Sequence, residues 1–408
     1  MSEELKQAAL EYHEHPKPGK IAIQLTKPTN TRRDLSLAYS PGVASPVKAI
    51  QQDPNLAYAY TSKGNLVGVI TDGSAVLGLG NVGAIAGKPV MEGKAVLFKR
   101  FADIDVFDIE INATTSKDFV DTVIRIADTF GGINLEDIAA PRCFEIEESL
   151  LRKLNIPVFH DDQHGTAIVI GAALLNALEL QGKKIQDVKV VCLGAGAAGV
   201  ASMKMLMALG ATPENLFMAG RKGVLHTGRT DLDKWRKPFA RNTNAHTLEA
   251  ICADADVFIG VAGPDLLSVD AVRSMAPKAI IFALANPDPE ITPELIRTVR
   301  DDIIIATGRS DYPNQVNNVL CFPFLFRGAL NVYASSINQA MQVAAVHALA
   351  QLAKEPVPEE IQKIYGMDSM AFGPDYIIPT PFDPRLIERI PTAVSEAAIA
   401  TGVARKID

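Results

Sequence analysis

Two pairs of adjacent carboxylates are the groups of this chain whose type and spacing most directly suggest chemistry. Glu136 and Asp137 follow the strand pattern INL, and Asp161 and Asp162 follow IPVFH. A single acidic pair is usually a solvated surface feature. Two pairs at strand ends are less ordinary, because carboxylates that converge without a cationic partner repel one another and a hard divalent cation relieves that repulsion. Because neither pair contains histidine or cysteine, the pattern predicts Mg²⁺ or Mn²⁺ in preference to zinc.

Four other polar side chains are candidates for chemistry. His160 and His164 flank the second acidic pair, but a histidine beside a core helix is usually a hydrogen-bonded structural residue, and we favour that role over zinc ligation. Tyr39 precedes a Ser-Pro-Gly turn, and Lys94 precedes the apolar run AVLF, which we interpret as a buried strand. A lysine at the mouth of such a strand can have a depressed pKa and act as a base, and a turn tyrosine can donate a proton. From spacing alone, packing or capping is the favoured role of both.

A glycine-rich turn in the second half predicts a nucleotide site. The apolar strand pattern VKVVCL is followed by the glycine turn and then by the helical pattern VASMKMLMAL. Glycines at this spacing let the backbone turn and approach a pyrophosphate, and the helix N-terminus offers free N–H groups. A purely structural glycine turn is the alternative, but the strand before it and the helix after it favour a dinucleotide. The predicted binding residues are Gly194, Ala195, Gly196, Ala197, Ala198 and Gly199.

The elements that must position these groups predict an α/β fold. In the second half, continuous apolar runs occupy residues 215–219, 257–261, 279–284 and 302–307. Such runs indicate strands covered on both faces, and therefore a doubly wound, Rossmann-like parallel sheet whose ligands lie beyond the strand ends. The site candidates at these ends are Gly220 and Arg221, Gly263 and Pro264, and Asn286 and Pro287.

The first half also alternates strand and helix patterns. We predict strands over residues 104–111 and 156–160, a strand or loop over residues 133–140, and helices over residues 118–130 and 144–154. We therefore divide the chain into three parts. They are an N-terminal α/β domain for substrate and metal (1–160), a Rossmann-like domain (161–390) and a tail or linker (391–408).

Composition argues against several classes of protein. The 408 residues carry a net charge of −7, and lysine and arginine are dispersed, so nothing indicates nucleic-acid binding. The four cysteines are widely spaced without a CxxC pair, which suits a reducing cytoplasm. The N-terminus has no apolar signal segment, and the longest apolar stretch, residues 166–180, is too short for a bilayer and predicts a buried helix. We expect a cytoplasmic protein without a membrane partner.

Eight segments, in order, resemble malic enzymes of the short bacterial form. They are AYSPGVA, TDGSAVLGLGNVG, EGKAVLFK, LEDIAAPRCFEIE, VFHDDQHGTA, LGAGAAG, FALANP and QVNNVLCFP. The chain from residue 379 onward resembles the end of the malic-enzyme part of bacterial hybrid enzymes, where a phosphotransacetylase-like domain follows. The resemblance implies either a naturally short enzyme or a truncated hybrid.

By this resemblance, Glu136, Asp137 and Asp162 correspond to the three metal carboxylates of the family, and Asp161 supports the site. One position departs from the pattern. Longer malic enzymes carry an arginine for the substrate carboxylate after the TDG motif, and this chain has Ala75 there. The resemblance therefore leaves open which residue replaces that arginine.

The resemblance also implies the proton-transfer and substrate residues. Lys94 corresponds to the base that takes the malate hydroxyl proton, and Tyr39 to the acid that protonates enolpyruvate. Asn286 and Asn318 correspond to the asparagines that hold the substrate carboxylates, with Asn317 beside them. Asn286 also lies where the family binds its cofactor.

The implied reaction is the oxidative decarboxylation of L-malate to pyruvate and CO₂, with reduction of NADP⁺ and dependence on Mg²⁺ or Mn²⁺. Two alternatives belong to other classes. A malolactic enzyme would retain NAD and release lactate. A silent nucleotide-binding regulatory module would have lost a metal carboxylate, Lys94 or Tyr39, and all of these are present. The family usually forms dimers or larger assemblies and can share sites across subunits, so we expect a homo-oligomer.

The second strand of the nucleotide domain favours NADP⁺ over NAD⁺. An NAD-binding unit usually places an acidic residue at the end of this strand to hold the ribose 2′-hydroxyl. Here that position is Gly220, followed by Arg221 and Lys222. Without the carboxylate a 2′-phosphate is not repelled, and Arg221 can bind it through two parallel hydrogen bonds. The alternatives are that Arg221 and Lys222 are solvated loop charges or that the enzyme accepts both cofactors.

Overall fold

The computed structural model describes residues 3–76, 78–367 and 369–406. Leu77 of the TDGSAVLGLGNVG motif and the last two residues of the predicted tail lie outside the described residues. The architecture is α/β, as predicted, with two sheets of mostly parallel strands and helices packed around them. In the part of the chain just defined, no helix combines the length and the apolar character needed to cross a membrane.

The first sheet contains four parallel strands. They are β1 (Leu66–Thr71), β2 (Asp105–Glu110), β3 (Gly132–Leu135) and β4 (Val158–His160), in the spatial order β2-β1-β3-β4. The strands predicted in this half are confirmed. Because Leu135 lies opposite His160 in the β3–β4 register, the two acidic pairs leave the sheet at the same edge.

The helices of the first half are α1 (Glu3–Glu14), α2 (Arg32–Ala38), α3 (Ala44–Gln52), α4 (Ala57–Tyr60), α5 (Ala84–Ala102), α6 (Ser116–Ile126) and α7 (Arg142–Lys153). The two predicted helices correspond to α6 and α7. Helix α6 begins where Thr115 accepts a hydrogen bond from the Asp118 N–H group, and it buries Phe119, Val120 and Val123 along one face.

The second sheet contains six strands, five of them parallel. They are β5 (Val190–Leu193), β6 (Leu216–Gly220), β7 (Gly223–Val224), β8 (Val257–Gly260), β9 (Ile280–Ala283) and β10 (Ile304–Thr307), in the order β10-β9-β8-β5-β6-β7. All predicted apolar runs form strands. After β5 the chain turns first to β6 and then to β8 on the opposite side, so the direction of winding reverses at β5. A ligand crevice is expected at such a point.

The remaining helices surround this sheet and join it to the first. They are α8 (Thr166–Gln181), α9 (Ala197–Ala208), α10 (Leu248–Cys252), α11 (Val269–Ser274), α12 (Pro293–Arg297), α13 (Phe322–Asn331), α14 (Gln339–Leu352), α15 (Glu359–Ile364) and α16 (Leu386–Ala400). Helix α8 is the predicted buried helix. It shares one apolar core with residues of both sheets, including Ile133 of β3 and Val190 of β5.

The strand predicted for the apolar run after Lys94 is wrong, because this segment lies inside the 19-residue helix α5. Its buried side chains include Met91, Lys94, Phe98 and Ala102, a spacing of three or four residues that belongs to a helix. The four consecutive apolar residues 95–98 matched the strand pattern because a short apolar run does not distinguish a buried strand from a buried helix.

Candidate active site

Three carboxylates meet at the shared edge of β3 and β4. One carboxylate oxygen from each of Glu136, Asp137 and Asp162 lies within 4.8 Å of the others. Glu136 and Asp137 are buried, and Asp162 is partly exposed. The Asp137 backbone N–H donates to Asp162 Oδ2 at 2.8 Å, which ties the two strand ends together. The chain thus brings the three predicted metal ligands into one cluster.

The electrostatics of this cluster suit a hard divalent cation. Burial raises the pKa of Asp137 to about 9, and the negative charges of Asp162 and Glu136 add to the rise. Burial likewise raises the pKa of Asp162 to about 6. In addition, Asp137 Oδ2 is buried without a hydrogen-bond partner in the described structure. An all-oxygen donor set that carries excess negative charge fits Mg²⁺ or Mn²⁺.

Lys94 reaches the same cluster from the middle of α5. Its Nζ lies 2.6 Å from Asp161 Oδ2 and 2.8 Å from Glu136 Oε1, and 4.1 Å above the centre of the Phe322 ring. The acidic pairs have no cationic partner nearby in the sequence, but folding brings Lys94 to them. The expected depressed pKa is wrong for this state, because the two carboxylates outweigh burial and raise the pKa of Lys94.

Asp161 links the cluster to the second half of the chain. Its Oδ2 accepts hydrogen bonds from Lys94 Nζ and from Asn318 Nδ2, both at 2.6 Å. Gly165 lies against this carboxylate: a Cβ atom at position 165 would be 1.8 Å from Asp161 Oδ1. Asn317 behaves differently from its neighbour, because its Oδ1 accepts the Val319 N–H and caps a short 3₁₀ helix. Asn318, and not Asn317, thus contacts the site.

Asn286 stands beyond β9, as predicted for a residue at a strand end, and is partly buried. A Cβ atom at position 78 would lie 3.3 Å from the Asn286 carbonyl oxygen. The loop after β1 and the loop after β9 therefore approach each other. Asn286 thus lies close to the loop that follows β1.

The turn that carries Asp161 and Asp162 is a single π-helical turn, Asp161–Gly165, and Glu147 of α7 holds it. The Glu147 carboxylate accepts hydrogen bonds from the His160 N–H, from Gln163 Nε2 at 3.0 Å and from His164 Nε2 at 2.9 Å. The structural role favoured for His164 is confirmed. The hydrogen-bonded role expected for His160 is wrong, because neither ring nitrogen has a hydrogen-bond partner in the described structure, and burial lowers its pKa to about 4.

The glycine turn between β5 and α9 has the geometry of a phosphate-binding loop. Gly194 has a φ of 121°, and a Cβ at position 199 would lie 1.8 Å from the Gly194 carbonyl oxygen, so both positions require glycine. Among the described residues, no atom lies within 4 Å of a Cβ placed on Gly196, and no side chain caps the N-terminus of α9. The backbone around Ala195, Ala197 and Ala198 is thus open to an anion. Helix α9 also packs against the π-helical turn.

The end of β6 lies beside this loop. A Cβ on Gly220 would lie 3.3 Å from the Ala195 Cβ, which places the expected acidic position next to the glycine turn. Arg221 is exposed and makes no ion pair with any described residue. Lys222, by contrast, pairs with Asp231 at 3.1 Å. Of these two cationic side chains, only that of Arg221 is therefore available to bind a ligand.

Tyr39 is not brought into the cluster. Its side chain is 76% exposed and makes no hydrogen bond with any described member of the cluster. It lies at the end of α2, within the first 52 residues, where α1, α2 and α3 contain no buried residue. This N-terminal segment carries several exposed apolar side chains, including Ile23, Leu25, Leu35, Leu37 and Val47.

Sequence reasoning missed three residues at the site. Glu147 and Arg142 belong to the PRCFEIE motif but were not assigned a role; Arg142 pairs with Asp72 at 3.0 Å. Two charged residues beside an acidic pair were the available signal. Arg236 donates from Nε to the Ala195 carbonyl at 2.7 Å and so supports the glycine loop. No sequence pattern connects Arg236 with that loop.

Comparisons with known proteins agree with this geometry. Residues 18–151 match the family described as malic enzyme, N-terminal domain, and residues 163–367 match malic enzyme, NAD binding domain. The NADP-dependent malic enzyme of Halomonas elongata is 60% identical over 100% of this chain and 96% of its own length. That of Rhizobium meliloti is 58% identical over 98% of this chain, which spans only 53% of that relative's length.

A solved structure shows the same arrangement. The crystal structure of malic enzyme from Pyrococcus horikoshii has a TM-score of 0.88 and 44% sequence identity, covering 99% of this chain and 93% of its own. Both sheets, the acidic cluster and the glycine turn thus lie within a fold shared over almost the whole chain. The chain belongs to the malic enzyme family.

Proposed function

We propose that this chain oxidises and decarboxylates L-malate to pyruvate and CO₂ with NADP⁺, in the presence of Mg²⁺ or Mn²⁺. The observation that carries the proposal is the packing of the turn with Asp161 and Asp162 against α9, whose N-terminus is the glycine loop. A carboxylate cluster and a nucleotide site are thereby adjacent. When bound, the cation supplies Lewis-acid stabilisation of charge on the substrate oxygen, and NADP⁺ accepts the hydride.

Lys94 and Asp161 are proposed to move the hydroxyl proton. Lys94 Nζ is held at hydrogen-bond distance from Asp161, so a proton taken from the substrate by Lys94 has an acceptor 2.6 Å away. Glu136 is one of the two carboxylates that raise the pKa of Lys94. A cation bound to Glu136 would neutralise its charge and so weaken this effect. The lysine then loses its proton more readily. Asn318 donates a hydrogen bond to Asp161, and Asn286 is proposed as the second substrate contact.

The direct test is product analysis with the purified protein, L-malate, Mn²⁺ and NADP⁺. We expect equal amounts of NADPH and pyruvate. Lactate without net reduction of added cofactor would identify the malolactic alternative. Bound nucleotide without any product would identify the silent module. The same assay with NAD⁺ tests the cofactor proposal, which rests on the exposed Arg221 and on the absence of an acidic side chain at Gly220.

We infer further that a second copy of this chain covers the N-terminal segment and that Tyr39 serves the cluster of that second copy. Support comes from the exposed apolar side chains of the segment, among them Ile23 at 87% and Leu25 at 73%. A large apolar surface of this kind marks an interaction site. The acid on which pyruvate formation depends is also missing from the cluster of its own chain. We place this assembly in the cytoplasm, which suits four buried cysteines that are all unpaired.

Mixing two variants that are each impaired in pyruvate formation tests this arrangement. Tyr39→Phe and Lys94→Ala each disable one residue, and in a mixed dimer one site receives both intact residues. If Tyr39 acts across the interface, co-refolded or co-expressed variants regain up to about a quarter of wild-type activity, because half of the dimers are mixed and each has one complete site. The absence of any recovery in a mixture shown to contain mixed dimers would contradict the shared site.

A further inference from the structure

The loop after β1 lacks a cation but is attached to the metal-binding segment. Ala75 occupies the position where longer relatives are expected to carry the arginine for the substrate carboxylate. The Ala75 N–H donates to the Asp137 carbonyl at 2.9 Å, and the Ala139 N–H donates to Ser74 Oγ at 2.8 Å. A side chain from the segment after β3 can therefore occupy the space that a side chain at position 75 leaves empty.

Arg142 is such a side chain. It begins α7, three residues after Ala139, and its Nη2 lies 3.0 Å from Asp72 Oδ2 in the same loop as Ala75. Despite this ion pair, Arg142 Nε and Nη2 are both buried without a hydrogen-bond partner in the described structure, and so is Asp72 Oδ2. The two nitrogens form one edge of the guanidinium, the edge that binds a carboxylate with two parallel hydrogen bonds.

We propose that Arg142 binds a carboxylate of the substrate through Nε and Nη2 and so replaces the arginine that is absent at position 75. This inference rests on the proposed function. The Arg142 side chain is 32% exposed overall, and its Nη2 already lies beside Asp72, but Nε is buried without a hydrogen-bond partner in the described structure. A buried donor without a partner is costly unless an anion binds it. The position fits, because Arg142 is only five residues after Asp137 and its Nη2 lies 3.0 Å from Asp72 in the loop after β1.

The charge changes during the reaction determine which carboxylate of malate Arg142 can bind. The C4 carboxylate loses its charge as it leaves as CO₂, so a cation bound to it would stabilise the substrate more than the transition state and would slow the reaction. The carboxylate that pyruvate retains keeps its charge throughout. Arg142 can hold that group without opposing the reaction, and we assign it to the retained carboxylate.

The experiment compares Arg142→Gln and Arg142→Lys with wild type in the full-length, Mn²⁺-loaded enzyme. Binding that is equal in the ground and transition states affects KM and leaves kcat nearly unchanged. For Arg142→Gln we expect the KM for L-malate to rise roughly 10- to 100-fold, as for a lost charged hydrogen-bonding pair. Arg142→Lys should give an intermediate rise, because it keeps the charge without the two-donor edge. The KM for NADP⁺ should not change.

Arg152→Gln is the matched control, because Arg152 is on the same helix with a 68% exposed side chain. It should behave as wild type. Inhibition by oxalate separates the two carboxylates, since oxalate resembles the retained end of enolpyruvate and lacks the C4 group. Parallel loss of oxalate and malate affinity supports the assignment, and unchanged oxalate inhibition overturns it.

An unchanged malate KM in either folded Arg142 variant, judged by its melting temperature, overturns the proposal. Arg142→Lys keeps the proposal falsifiable if Arg142→Gln does not fold. Failure of the proposed function is a different result, because it shows in the wild-type protein as the absence of malate-dependent NADPH. That result would remove the basis of this inference as well.

Discussion

The acidic cluster and the N-terminal segment hold the two proposed proton-transfer residues in opposite environments. The Lys94 side chain is 8% exposed and is fixed between two carboxylates and an aromatic ring. Tyr39 is 76% exposed and follows the end of a helix that buries no residue. The base is thus positioned by its own chain, whereas the acid is presented at the surface. In the proposed arrangement, one chain would hold the metal and take the first proton, and the last proton would come from a second copy.

Removing a ligand from the cluster should have the largest effect. In Asp162→Asn one of three converging carboxylates becomes neutral, and the Asp137 N–H keeps an oxygen acceptor, so the fold should persist. We expect kcat to fall by on the order of 10³-fold or more, because Lewis-acid stabilisation contributes several kcal/mol. Steady-state kinetics with Mn²⁺ and a separate NADP⁺ titration check this, and nucleotide binding should remain. Full malate turnover by wild-type enzyme freed of metal would contradict the prediction.

Removing the surface acid should have a smaller and more selective effect. In Tyr39→Phe the formation of pyruvate from added oxaloacetate should slow by roughly 10²-fold or more, while reduction of NADP⁺ by malate slows less. Lys94→Ala should impair both reactions. Tyr60→Phe is the control, since Tyr60 is also exposed, at 56%, but lies outside the proposed site. Wild-type rates in Tyr39→Phe would assign the acid to another residue.

The cofactor prediction concerns Arg221, a surface residue that is proposed to bind NADP⁺ on its own chain, without a second copy. Arg221→Ser should raise the KM for NADP⁺ roughly 10- to 100-fold, the effect of one lost charged hydrogen-bonding partner, and should leave the KM for NAD⁺ nearly unchanged. Lys222→Ser is the control, because Lys222 already pairs with Asp231. A wild-type preference for NAD⁺ would show that Arg221 is an ordinary solvated charge.

The smallest effect is on stability and concerns the cluster alone. Carboxylates whose pKa is raised by folding hold protons that the unfolded chain has released, so the metal-free protein loses stability as pH rises. For Asp137 this window extends from its ordinary value of 3.8 to about 9. The melting temperature without metal should therefore fall by roughly a few degrees between about pH 5.5 and about pH 8.5. Stabilisation by Mn²⁺ should grow over the same interval. A metal-free melting temperature that rises with pH would contradict this.

The sequence predicted what depends on local patterns. Continuous apolar runs identified the strands of the second sheet, and the glycine spacing identified the turn after β5. The acidic pairs also lie at strand ends, as expected. The segment around Lys94 was misassigned, because four consecutive apolar residues fit a helix as well as a strand. The partners of Lys94, Glu136 and Asp161, are 42 and 67 residues away in the chain, and no local pattern connects them.

Local sequence patterns also could not predict whether Tyr39 is buried or exposed. Its motif suggested a role, but exposure depends on whether any part of the same chain packs over the segment. The same holds for Arg142, whose two buried donors become visible only when the loop after β1 and the start of α7 are seen together. The motifs identified the candidate residues, but tertiary packing determines which of these residues contact one another.

Gly165 shows how a residue without a functional group can limit the evolution of this site. Any side chain there would clash with Asp161 Oδ1, while Lys94 and Asn318 hold Oδ2 of the same carboxylate. A second mutation cannot easily compensate, because relief of the clash would have to come from the catalytic groups themselves. Position 165 should therefore tolerate no replacement of glycine in a library of variants selected for activity.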